Sequence, residues 1–149
     1  MSENNPFERV AEPWEAVVAD MEATADGYRE ADWEVLELHP GDVTVDEQGL
    51  DVLVPGDEFE TLESRTADAA FDTYEVYRAA ESEMVFALVV LEDTETERAV
   101  CCPIYYEREA IEGVRERIGD GVLYTHIRPL NDDRMVTFSY EEPELFVPE

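Results

Sequence analysis

The sequence predicts an α+β fold with a mainly antiparallel sheet and about three helices, in the order α-βββ-α-βββ-α-ββ. Three observations predict it: apolar residues recur at helical spacing in separate segments, short β-rich runs arrive in groups, and the links within those groups are too short for parallel crossovers. A chain of 149 residues is expected to form one domain, over 1–149, with one core. Short flexible tails are expected over about 1–10 and 142–149.

The first helix is predicted from Pro13 to Ala31. Trp14, Val17, Val18, Met21, Ala25 and Tyr28 share one face, Pro13 suits a first turn, and Glu12 and Glu15 complement the helix dipole there. Strands follow over Trp33–Leu38, Val43–Val45 and Leu50–Val54. The turn residues His39-Pro40-Gly41-Asp42 and Gln48-Gly49 separate them, so they read as a meander. Pro55-Gly56 ends the third strand. Asp57 with Glu60 then has the spacing of a capping box, opening a helix with Phe59, Leu62 and Ala69 or Ala70 inward.

Three more strands are predicted over Tyr74–Ala79, Met84–Leu91 and Ala99–Tyr106. The unbroken apolar run Met84–Leu91 lacks alternation, which predicts a central strand covered on both faces. Glu92–Glu97 is a solvated hairpin loop. A helix over Glu107–Ile118 carries Ala110, Ile111, Val114 and Ile118 on one stripe and stops at Gly119. A hairpin, Val122–Arg128 with Met135–Tyr140, joined through Asn131-Asp132-Asp133, closes the chain. The two strand triplets, each flanked by helices, hint at a duplication, although no residue-level repeat accompanies it.

Composition speaks to the solvent. The chain has 39 Asp and Glu against ten Arg and no Lys, a formal charge of -29. Such self-repulsion opposes compaction in dilute buffer, whereas at 1 M salt the Debye length is about 3 Å and the carboxylates scarcely interact. A hydrophobic content of 44% argues against disorder. The expectation is a halophilic protein whose surface is hydrated through high-salt cations. No apolar run approaches a membrane span, and Met1–Asn5 lacks the basic and apolar regions of a signal peptide, so a cytoplasmic location is expected.

Few residues point to chemistry. Cys101 and Cys102 are successive strand positions facing opposite ways; they cannot share a metal readily and read as small buried hydrophobes. A nucleophilic cysteine would need a histidine, either His39 or His126. His126 alternates with Val122, Tyr124 and Arg128 on one strand face, a candidate binding surface on an open sheet or simply the polar side of an edge hairpin. His39 lies in a turn, where it can serve to fix the backbone. Tyr105 and Tyr106 are consecutive, so one of them turns outward and a layer of exposed tyrosines would make a partner surface.

Asp42–Gly49 fails the calcium-loop pattern, and no zinc spacing, phosphate-binding glycine loop or nucleophile elbow exists. No metal and no cofactor are therefore expected. The arginines are dispersed among acids, which argues against nucleic acid as a partner. With 39 acids, two lying close together carry no information about acid–base catalysis.

Trp33-Glu34-Val35-Leu36-Glu37-Leu38-His39-Pro40-Gly41-Asp42-Val43, with Gly49-Leu50-Asp51-Val52-Leu53-Val54-Pro55, resembles a haloarchaeal protein family of unknown function over most of the chain. The resemblance implies a haloarchaeal source and supplies no catalytic residues. Two functions stay open: a non-catalytic interaction or adaptor module, working through a protein partner or self-association, and a small-ligand or enzyme site between sheet and helices.

Overall fold

In the computed structural model the backbone is described for residues 6–67, 71, 73–81, 83–119, 121–130 and 134–147. Helix α1 spans Pro6–Glu30 and α2 spans Gly56–Thr66, while α3 spans Arg108–Ile118. The strands are β1 (Glu34–Glu37), β2 (Asp42–Val45), β3 (Gly49–Val54), β4 (Thr73–Glu81), β5 (Met84–Asp93), β6 (Arg98–Glu107), β7 (Leu123–Pro129) and β8 (Val136–Tyr140). The predicted class and element order hold.

The strands divide between two mixed sheets, ordered β1-β6-β5-β4 and β2-β3-β7-β8. Four pairings are antiparallel, and two, β1 with β6 and β3 with β7, are parallel. Short links exclude parallel pairing only between consecutive strands. These two pairs are distant in sequence, and the intervening elements provide the crossover. The expected meander β1-β2-β3 is likewise split. His39-Pro40-Gly41 turns a corner that carries the chain from the first sheet into the second, so the two triplets are not equivalent and the hint of duplication fails.

Each sheet arises from its own alternation. In β5 the residues Val85, Ala87, Val89 and Leu91 enter the core between the sheets, and Phe86, Leu88 and Val90 face Val17, Met21 and Ala25 of α1. Burial on both faces explains the missing alternation, and β5 sits inside its sheet as predicted. The inter-sheet core also takes Leu50, Val52 and Val54 of β3, Phe59 and Leu62 of α2, and Ile111 and Val114 of α3. Each of these fully buried side chains stabilises the fold by about 1.5–3 kcal/mol relative to exposure.

Several local expectations are corrected. Helix α1 is already formed at Pro6, the first described residue, so Pro13 lies inside it and does not open it. The cap of α2 is Pro55 with no side-chain hydrogen bond, so Asp57 stands in the first turn and there is no capping box. Ala69 and Ala70 lie outside the described residues, as do Asn131–Asp133. Helix α3 does end at Gly119, whose φ of 59° is left-handed and whose N–H donates to the Arg115 carbonyl at 3.1 Å.

The Glu92–Glu97 stretch holds a buried acid, Asp93. It accepts from the Glu95 N–H at 3.1 Å and the Thr96 hydroxyl at 2.8 Å and so builds the turn. Near the C-terminus, where the composition suggests a tail, Pro143–Phe146 forms a 3-10 turn. Phe146 is fully buried, and its carbonyl accepts the Tyr106 hydroxyl at 2.6 Å. The two consecutive tyrosines of β6 are thus both absorbed by packing. Tyr106 lies between the sheets, and Tyr105 meets Trp14 edge-on at 5.4 Å, so they form no exposed tyrosine layer.

Candidate functional site

Strand β7 alternates strictly, with Leu123, Thr125 and Ile127 inward and Tyr124, His126 and Arg128 half-exposed on the outside. The flanking strands complete that face by register. Gly49, Asp51 and Leu53 of β3 lie opposite Tyr124, His126 and Arg128, and Thr137 and Ser139 of β8 lie opposite His126 and Tyr124. Asp42 and Thr44 of β2, both exposed, extend it. The inner face of this sheet is committed to the core, whereas the outer face is open to solvent.

The side chains there are held by one another. Arg128 grips Asp51 through two parallel bonds, Nε to Oδ1 at 2.8 Å and Nη2 to Oδ2 at 2.7 Å. His126 shares a hydrogen bond between Nδ1 and the Thr137 hydroxyl at 3.1 Å. The Tyr124 and His126 rings stack, 6.0 Å apart and 12° from parallel. The face thus sets two stacked aromatic rings beside a charge-compensated ion pair.

The other sequence candidates lie elsewhere. His39 closes the corner between β1 and β2. Its ring Nδ1 and its backbone N–H each lie 2.7 Å from one oxygen of Glu58, in the first turn of α2. That carboxylate fixes the corner, the turn-stabilising role of a histidine before Pro-Gly. Cys101 and Cys102 are both buried, Cys101 against α1 and Cys102 between the sheets. Burial, followed by the negative charge of Glu37, pushes the Cys101 thiol up to about 12; burial raises Cys102 further. Periodicity along a single strand does not single out Asp51 or Thr137, whereas Gly49 is legible only as a turn residue. Asp51 does alternate with Leu53 along β3, but its partner is 77 positions away.

Among the described residues, no group of three His, Cys, Asp or Glu is placed to hold a metal ion, and no helix is long and apolar enough to cross a membrane. A model of the family of unknown function DUF7529 matches residues 2–148. The chain belongs to that family. No curated protein and no solved structure matches it. The open face of the second sheet and both cysteines therefore lie within the family's span.

The buried thiols yield a prediction. In the native state at pH 8, both are expected to react with a disulfide reagent at least about 100-fold more slowly than after unfolding, since the thiolate is the nucleophile. The sign follows from linkage. A thiol raised from about 9 to about 12 favours the folded state fully below pH 9, and that contribution is lost as pH rises toward 12. Thiol release followed at 412 nm checks it, and a rapid native burst from either cysteine would contradict it.

Proposed function

We propose that the chain is a non-catalytic interaction module of a saline cytosol, which engages a protein partner through the outer face of the sheet β2-β3-β7-β8. The observation that carries this reading is the convergence of Tyr124, His126 and Arg128 with Asp51 and Thr137 on a sheet face whose side chains stay half-exposed among the described residues. Aromatic and arginine side chains anchor interfaces because they bury large areas at low entropic cost. The saline part rests on the charge of -29 with arginine as the only basic side chain beyond two histidines, and the resemblance carried by Trp33–Val43 and Gly49–Pro55 supports a haloarchaeal source.

The alternative, a ligand or enzyme site between sheet and helices, would occupy the cavity of about 340 Å³ between α1 and β4. Val17, Asp20, Tyr77, Phe86 and Leu88 are among the residues lining it, and neither histidine nor either cysteine is. That lining favours the interaction reading.

A test begins with capture from a high-salt lysate, followed by calorimetric titration of the purified candidate partner. Replacing Tyr124 and His126 by serine together is expected to weaken stoichiometric binding at least about tenfold, equivalent to 1.4 kcal/mol. Unchanged affinity in that variant would remove the outer face from the interface. A preparation carrying a bound metabolite and no protein partner would move the search to the cavity.

A further inference from the structure

Strand β4 runs nine residues, Thr73–Glu81, at the end of its sheet. Its pairing with β5 is continuous over all nine, without a bulge, and no proline interrupts it. Among the described residues no backbone hydrogen bond reaches its outer edge from Tyr74 to Ala80. A long, regular edge is a template for another strand, and proteins normally blunt such edges with bulges, proline or charged side chains. This one has neither bulge nor proline; its charges between Tyr74 and Ala80 are Glu75 and Arg78, and Arg78 is turned to the Leu145 carbonyl of the 3-10 turn at 2.8 Å. Helix α1 packs on β1, β6 and β5, which leaves a groove beside β4 floored by Phe86 and Leu88. Tyr77, on the rim, is 55% exposed, one of three large hydrophobic side chains left in solvent among the described residues.

We propose that a second copy of this chain occupies this edge, pairing β4 with β4 antiparallel about a two-fold axis at Tyr77 and joining the two sheets into one continuous sheet. Registers that keep like face with like face centre the axis on a single residue; charge removes two of them, and of the rest only the one centred on Tyr77, the midpoint of the strand, pairs all nine residues. Centring on Glu75 sets Glu75 against its own copy, and centring on Arg78 does the same for Arg78. Like charges directly opposite are destabilising. Centring on Tyr77 pairs the full strand, places Glu75 against Ala79 and Arg78 against Val76, and buries the exposed tyrosine against itself. The interface is isologous and closed, so it ends at a dimer and not a fibre. Two chains each at -29 repel, and at 1 M salt and above a Debye length of about 3 Å or less removes that barrier. This screening step rests on the saline part of the proposed function, and the pairing itself does not depend on the outer face of the other sheet.

Light scattering on the full chain in KCl above about 1 M is expected to return twice the 17.0 kDa chain mass. Tyr77→Asp, which opposes two carboxylates at the axis, is expected to return the single mass with an unchanged circular dichroism spectrum. Tyr77→Cys, oxidised with copper phenanthroline, is expected to form a covalent dimer, and Leu130→Cys, at another exposed site, is not. Should Tyr77→Asp fail to fold, the parent mass and the Tyr77→Cys cross-link decide the matter. A folded monomer at high salt overturns the proposal, and so does a dimer that survives Tyr77→Asp without cross-linking through position 77. Tyr124→Ser is expected to keep the doubled mass, so loss of the partner face and loss of the dimer are read separately.

Discussion

In neutral buffer without added salt the chain is expected to lose its near-ultraviolet circular dichroism and its cooperative melting transition, and to regain both above a few tenths molar KCl. Two carboxylates 7 Å apart in water repel by about 0.6 kcal/mol. At 0.01 M salt, with a Debye length of 30 Å, nearly all of that persists, and at 1 M, with 3 Å, about a tenth of it remains. Each pair is small, but 39 acids against ten arginines leave many such pairs without compensation. Their sum is comparable with the 5–15 kcal/mol of a typical domain's stability. The surface ion pairs, such as Arg134 with Glu63 at 2.7 Å and Arg29 with Asp26 at 3.2 Å, are exposed and offset little of it. A full native spectrum and cooperative melting in salt-free buffer would refute the saline reading.

The largest expected effect of a single substitution is at Gly49. Its φ is +155°, and a β-carbon there would stand 1.9 Å from the Tyr124 carbonyl oxygen and 2.9 Å from that residue's carbonyl carbon and nitrogen. The obstacle is backbone, which cannot swing aside as a side chain would. Gly49 also closes the β2–β3 turn. Its N–H and that of Gln48 both donate to Asp46 Oδ1 at 2.8 Å, its carbonyl accepts from the Asp46 N–H at 2.8 Å, and the Tyr124 N–H donates to Gln48 at 3.0 Å. Gly49→Ala must therefore push β7 away from β3 at the strand that carries Tyr124, His126 and Arg128. We expect a loss of about 3 kcal/mol and a melting temperature lower by roughly 6–12 °C at constant high salt. Gly27→Ala is the control. A β-carbon added there, toward the C-terminal end of α1, would meet nothing within 4 Å, and alanine is expected to stabilise by about 0.5–1 kcal/mol. If Gly49→Ala melts within two or so degrees of the parent (less than about 1 kcal/mol), the close approach is relieved in solution.

What the sequence by itself determined is what short-range periodicity encodes. The elements and their order, the double burial of β5, the opposed faces of Cys101 and Cys102, and the alignment of Tyr124, His126 and Arg128 all follow from spacings of 2 and 3.6 residues. Only the tertiary structure decided how the strands share two sheets, that β1 and β6 and β3 and β7 run parallel, and that Asp51 meets Arg128 across 77 positions. It likewise decided that Phe146 enters the core and that the α2 cap is Pro55. The physical reason is the range of the interactions. A side chain's facing is set by immediate neighbours along one strand or helix. Pairing between distant strands is set by the sum of many weak contacts over the whole core, and no local pattern records that sum.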